Sequence, residues 1–180
     1  MQSSLGQRIM IMGYCGNGKS TLARQLGERL DLPVVHWDTI WWMPNWVERP
    51  LDEVYAMHAA VIAEPAWVFE GYNKATRDAR AARADTVIFL DLGRVIRVWR
   101  VLKRCVTHIN KPRPCITEGC HEKLNLNFLR FLWLAPRKPK YNDKLVWLAS
   151  LAPHKRVIIL KSRREVKAFL AQQNLSVGSD

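Results

Sequence analysis

Residues 13–20 read Gly13-Tyr14-Cys15-Gly16-Asn17-Gly18-Lys19-Ser20, and Thr21 follows. This G-x-x-x-x-G-K-S run stands between the apolar stretch Arg8-Ile9-Met10-Ile11-Met12 and the helix-like stretch Ser20 to Leu26. Strand, glycine-rich turn and helix in that order make a phosphate-binding loop. Glycines let the chain curl until backbone N–H groups converge on anionic oxygens, and the helix adds the positive end of its dipole. In that chemistry Gly13, Gly16, Asn17, Gly18 and Thr21 shape the cradle, with Cys15 offering its backbone N–H. Lys19 reaches the β- and γ-phosphates, and the Ser20 hydroxyl is a Mg²⁺ ligand. The expected cofactors are therefore ATP and Mg²⁺.

A length of 180 residues with 48% hydrophobic content suits one domain, 1–180, with a sizeable core. No apolar run is long enough to cross a bilayer, and Met1 to Gln7 lacks the basic-then-apolar pattern of a secretion signal. The expected location is cytoplasmic, where Cys15, Cys105, Cys115 and Cys120 read as reduced thiols. The net charge is +12. Between Arg94 and Lys140 stand twelve Lys/Arg against only Glu118 and Glu122, a net +10, so the rest of the chain contributes +2. Such a segment grips the phosphates of a small ligand or the backbone of a nucleic acid, and charge alone does not choose between them.

Five apolar runs predict strands near 8–12, 33–37, 66–69, 86–90 and 156–160, each continuous enough to be covered on both faces. Helix-like stretches lie near 18–30, 51–63, 73–83, 93–109, 121–134, 141–151 and 162–172. The alternation predicts an α/β fold, a parallel sheet with helices on both faces. Ligands of such sheets sit beyond the carboxyl ends of the strands, where Asp38, Glu70 and Asp91 fall. In the kinase-type strand order 2-3-1-4-5 the third strand adjoins the first. Topology thus favours Glu70 as the carboxylate that joins Ser20 at the metal, while Asp91 reads as structural, capping the helix from Gly93. Asp38 sits towards the acceptor side. It either orients or deprotonates an acceptor hydroxyl, binds a polar group of the substrate, or caps the turn Thr39-Ile40-Trp41-Trp42. Trp37, Trp41, Trp42 and Trp46 around it read as packing, with a stacking surface for a planar ring as the alternative. His36 reads as a packing residue.

Several stretches, taken together with the loop, resemble a known family. They are His36-Trp37-Asp38 with Trp42 and Trp46, Trp67-Val68-Phe69-Glu70-Gly71-Tyr72-Asn73, Ala84 to Asp91, Trp99-Arg100-Val101-Leu102-Lys103-Arg104 and Glu118-Gly119-Cys120-His121-Glu122. The family is that of the adenylate-kinase-like P-loop proteins known as DNA topology modulation proteins, and the resemblance runs from about residue 8 to 172. It implies a nucleotide-kinase fold with a mobile lid, use of ATP and Mg²⁺, and an acceptor it does not identify. One departure stands out: the family usually reads Asp-Gly-Asn-Tyr where this chain has Glu70-Gly71-Tyr72-Asn73.

On that fold, residues 94–140 become an Arg-rich helical lid with its flanking helices, inserted between the fourth and fifth strands. Arg97, Arg100 and Arg104 are spaced to share one helix face. Arg113, in the turn Lys111-Pro112-Arg113-Pro114, is the expected lid tip. Lys19, Asp38, Arg100 and Arg104 are the expected catalytic residues, with Arg49 a further candidate on the acceptor side; Arg97 and Arg113 join the loop in holding the nucleotide. Cys105, Cys115, Cys120, His108 and His121 share the segment, but their spacing lacks paired Cys-x-x-Cys knuckles, so zinc is not expected. The implied activity is ATP-dependent phosphoryl transfer to a small acceptor such as a nucleoside monophosphate. The alternative is a nucleotide-switched protein whose basic segment tracks DNA or RNA.

Overall fold

The three central apolar runs, near 8–12, 66–69 and 86–90, are buried on both faces and the two outer runs are partly buried, which makes them strands of a single sheet covered by helices. The computed structural model of the chain describes residues 5–107, 115–120 and 138–174. In chain order the elements are β1 (Arg8–Gly13), α1 (Lys19–Leu30), β2 (Val34–His36), α2 (Trp37–Trp41), β3 (Trp42–Met43), β4 (Val47–Glu48), α3 (Leu51–Ala63), β5 (Trp67–Glu70), α4 (Arg77–Arg83), β6 (Thr86–Leu90), α5 (Arg94–Thr107), α6 (Lys138–Leu151), β7 (Arg156–Leu160) and α7 (Arg163–Asn174). The main sheet runs β2-β5-β1-β6-β7 with every pairing parallel. With the short β3–β4 hairpin left out of the count, this is the predicted order 2-3-1-4-5.

Side chains alternate across the sheet, so each strand feeds two cores. Ile9, Ile11, Val68 and Ile88 pack on one face against Leu22 and Leu26 of α1 and Phe169 and Leu170 of α7. Met10, Met12, Phe69 and Val87 pack on the other against Val54 of α3, Ala81 of α4 and Leu148 of α6. Burying a side chain of this size is worth roughly 1.5–3 kcal/mol, so both layers are held firmly to the strands.

Element ends differ from expectation where short polar side chains capture the backbone. The second strand stops at His36 because the Thr39 hydroxyl donates to the His36 carbonyl at 2.7 Å and starts α2 at Trp37. The helix expected from 73 begins at Arg77, since Asn73 Oδ1 takes the Ala75 N–H at 2.8 Å and holds a turn. The β3–β4 hairpin was not foreseen. It closes through Asn45 and Trp46, both at positive φ (63° and 62°). Residues 115–120 dock on it: the Thr117 hydroxyl donates to the Trp42 carbonyl, and the Cys120 thiol donates to the Met43 carbonyl at 3.3 Å.

The lid tip with Arg113, His108, His121 and the helix expected at 121–134 lie outside the described residues. Cys15, Cys115 and Cys120 are free thiols. No described helix is long and apolar enough to cross a membrane.

Asp85 pins the end of the sheet opposite the loop. It accepts from the main-chain N–H groups of Gln7 (3.0 Å) and Arg8 (2.9 Å) and pairs with Arg8 Nη2 at 2.6 Å. Burial pushes its carboxyl up, but the bonds from Arg8 and Gln7 outweigh that and hold it below the usual carboxylate range. A depressed folded-state pKa stabilises above the unfolded value and loses that contribution as pH falls through the folded one. Asp85→Asn is therefore expected to cost about 1–2 kcal/mol at pH 7, read as a lower Tm. The gap to the wild type should close progressively below about pH 4.

Candidate active site

The loop between β1 and α1 is shaped by two glycines. Gly16 (φ 81°) and Gly18 (φ 85°) are left-handed, and α5 presses on both. A side chain at Gly16 would meet the Arg97 carbonyl oxygen at 2.6 Å, and one at Gly18 would meet Arg100 Nη1 at 2.7 Å. Gly18 is also the N-cap of α1, where no side chain caps the helix and no acidic residue stands in the first turn. This helix end is open to an anion. Lys19 rests its Nζ on the Tyr14 carbonyl at 3.4 Å. Asn17 is buried, with its side-chain amide donating to the Leu90 carbonyl at the end of β6, so the loop is tied to the strand beyond β1 as well. Gly13 closes β1 and Thr21 lies exposed in the first turn of α1.

Register then brings the acidic group to the loop. Ile11 and His36 both pair with Glu70, so Glu70 and His36 end neighbouring parallel strands at one level. The Ser20 hydroxyl donates to Glu70 Oε1 at 2.8 Å, and His36 Nδ1 lies 2.9 Å from the same oxygen. Glu70 is 3% exposed. Burial is the largest influence on its carboxyl and pushes it up. The His36 hydrogen bond, the Lys19 charge and the Ser20 hydroxyl together outweigh it and hold the group below its ordinary range. Asp91 follows β6, on the far side of β1, with its N–H on the Leu160 carbonyl. His36 is thus not a packing residue but the second partner of Glu70. The strand order already set the two side by side.

Arg97 and Arg100 of α5 face the loop together. Arg97 is 2% exposed, donates from Nε to the Cys15 carbonyl at 3.2 Å and lies 4.7 Å over the Tyr14 ring. Arg100 donates from Nη1 to the Asn17 carbonyl at 3.0 Å. Burial lowers the pKa of both, countered at Arg97 by Cys15 and Tyr14. Arg104 is half-buried one turn further along α5.

On the other side, Asp38 is exposed in α2, and His36 holds the N-cap position that the sequence offered Asp38. Arg49 is committed locally, donating from Nε to the Ile40 carbonyl (2.9 Å) and pairing with Glu53 (3.4 Å). The tryptophans pack: Trp37 stacks on Trp41 and Phe69, and Trp46 meets Trp42 edge-on. Lys144 of α6, which sequence reasoning passed over, holds its Nζ 4.0 Å from the Tyr14 ring centroid and 4.5 Å from that of Tyr72. No local motif marks it.

A groove of about 700 Å³ opens beside the loop, between Asn17, Gly18 and Thr21 on one side and Arg163, Lys167 and Leu170 of α7 on the other. The open helix end, Lys19 and this groove fit a nucleoside triphosphate in sequence: phosphates at the loop, nucleoside alongside. The Ser20 hydroxyl and Glu70 carboxylate are hard oxygen donors 2.8 Å apart, a set that suits Mg²⁺.

Sheet order and loop together define the fold of the P-loop kinases. Solved structures that share it include a shikimate kinase from Acinetobacter baumannii in complex with shikimate (TM-score 0.54, 17% identity, 97% of this chain and 96% of that one). A gluconokinase from Sinorhizobium meliloti 1021 is similar (TM-score 0.51, 17% identity, 99% and 100%), as is a Chloroflexus aurantiacus protein provisionally described as a kinase (0.58, 15%, 98% and 100%). At these identities the likeness establishes the fold. No protein-family model and no curated protein matches the sequence.

His36→Leu removes one of the two hydrogen bonds on Glu70 Oε1. It is expected to weaken Mg²⁺-dependent ATP binding about tenfold while affinity in EDTA stays within about twofold. Because His36 helps keep the Glu70 pKa low, its loss should also move the acid limb of Mg²⁺-dependent binding to higher pH. Calorimetric titrations with and without metal across pH 4–8 read both effects.

Proposed function

We propose that the protein is an ATP- and Mg²⁺-dependent phosphotransferase acting on a small acceptor. The observation that carries this reading is the meeting of Ser20, Glu70 and His36 directly beside an uncapped, lysine-bearing helix N-terminus. Lys19 would leave the Tyr14 carbonyl for the terminal phosphates, and Ser20 and Glu70 would hold Mg²⁺. A Mg²⁺ held there would supply positive charge to the phosphates as charge develops on them. Arg100 and Arg104 supply positive charge where the transferring group develops negative charge. Arg97 keeps the loop in shape from behind. Asp38, on the short helix after β2, orients the acceptor hydroxyl.

Two acceptor types have support. The likeness to adenylate-kinase-like proteins suggests a nucleoside monophosphate, and the shikimate kinase and gluconokinase neighbours suggest a hydroxy acid. Dependence on ATP fits a cytoplasmic enzyme. The net +10 of residues 94–140 supports a second reading, in which the protein binds DNA or RNA under nucleotide control, as the topology-modulation resemblance suggests. Against it, Arg97 and Arg100 of that segment are turned onto loop carbonyls.

With labelled ATP and Mg²⁺, a panel of nucleoside monophosphates, nucleosides, hydroxy acids and DNA 5′ ends should yield one class of labelled small product. Lys19→Ala should abolish ATP binding, and Arg100→Ala should lower kcat by about 10³-fold. If no acceptor is labelled and duplex DNA binds with a salt slope worth several released counterions, the second reading replaces the first.

A further inference from the structure

Arg80 is a buried charge with no hydrogen-bond partner among the described residues, and the nearby Glu70 carboxylate offsets its desolvation only in part. It is fully buried in α4, with its guanidinium 4.4 Å from the Phe69 ring centroid and 5.7 Å from that of Trp37. None of Nε, Nη1 and Nη2 has a hydrogen-bond acceptor among the described residues. Two ring contacts return much less than the desolvation of a guanidinium costs, so this residue is expensive for the apo fold.

Its surroundings are unpaired in the same sense. His58 Nε2, Thr76 Oγ1 and Trp67 Nε1 are also buried without partners. The His58 ring lies 5.6 Å from Phe69 and 5.9 Å from Trp37, and Thr76 is one turn before Arg80, whose N–H it accepts. Burial first, and then the Arg80 charge, lower His58 to about 4, so its imidazole is neutral. A buried guanidinium with no acceptor opposite it, beside a neutral imidazole whose Nε2 is also unpartnered, suits an anion. The cluster lies next to Glu70, on the face of the sheet that carries α2 and Asp38.

We propose that Arg80 anchors the anionic group of the phosphoryl acceptor, which makes that acceptor a small hydroxylated anion, a carboxylate or a phosphomonoester. The proposal rests on the phosphotransferase reading. Trp37 and Phe69 close the site in this structure. Trp37 opens the single turn α2, so an acceptor would reach Arg80 by displacing that turn.

The test melts wild type and Arg80→Met, each saturated with ADP and Mg²⁺, in gluconate against glucose and in inorganic phosphate against chloride at equal ionic strength. Gluconate or phosphate should raise the Tm of the wild type but not of Arg80→Met, with Arg80→Lys keeping part of the shift. A response to gluconate alone marks a carboxylate acceptor, and one to phosphate alone a phosphomonoester. Without anions, Arg80→Met should melt about 2–8 °C above the wild type, because an unpaired charge has been replaced by apolar volume. Equal anion responses in the two proteins, or an Arg80→Met variant that melts well below the wild type or does not fold, would overturn the proposal. The shift given by ADP itself tests the loop separately. If it is missing, the phosphotransferase reading fails, and the anion comparison is read on the nucleotide-free protein.

Discussion

A carboxylate taken out of water must be held by its neighbours, and the upper edge of this sheet is arranged around holding Glu70. Its own desolvation works against ionisation. The His36 ring from β2, with the Lys19 charge and the Ser20 hydroxyl from the start of α1, reverses the balance. None of these partners is local in sequence: Ser20 is 50 residues away and His36 is 34. Only the pairing of β5 between β2 and β1 brings them together, so the chemistry of the site depends directly on strand order.

The loop is braced in the same way from outside itself. Asn17 ties it to β6, while Arg97 and Arg100 reach from α5 to the Cys15 and Asn17 carbonyls. Those carbonyls would otherwise present negative dipole ends near a site built for anions. Covering them with guanidinium groups neutralises those dipole ends and raises the local positive potential. Part of the chain's basic excess therefore belongs to the architecture of the site rather than to a free surface.

Much of this was legible in the sequence. The glycine, lysine and serine pattern located the loop, unbroken β-branched runs located the strands, and the strand order chose Glu70 over Asp91. What stayed hidden depended on tertiary geometry. His36 looks like an apolar neighbour of tryptophans until register sets it beside Glu70. Arg80 is one of many arginines until burial separates it from the rest. The early start of α2 and the late start of α4 turn on single side chains, Thr39 and Asn73, competing for backbone groups, and hydrophobic periodicity carries no trace of such competition.

Among the described residues, the hydrogen bonds that dock residues 115–120 on the β3–β4 hairpin are accepted by the main-chain oxygens of Trp42 and Met43. Every amino acid carries that oxygen, so the joint does not depend on which residues occupy the hairpin positions. The hairpin can drift in sequence and change the shape it offers an incoming molecule, while Thr117 and Cys120 keep the insertion moored to it.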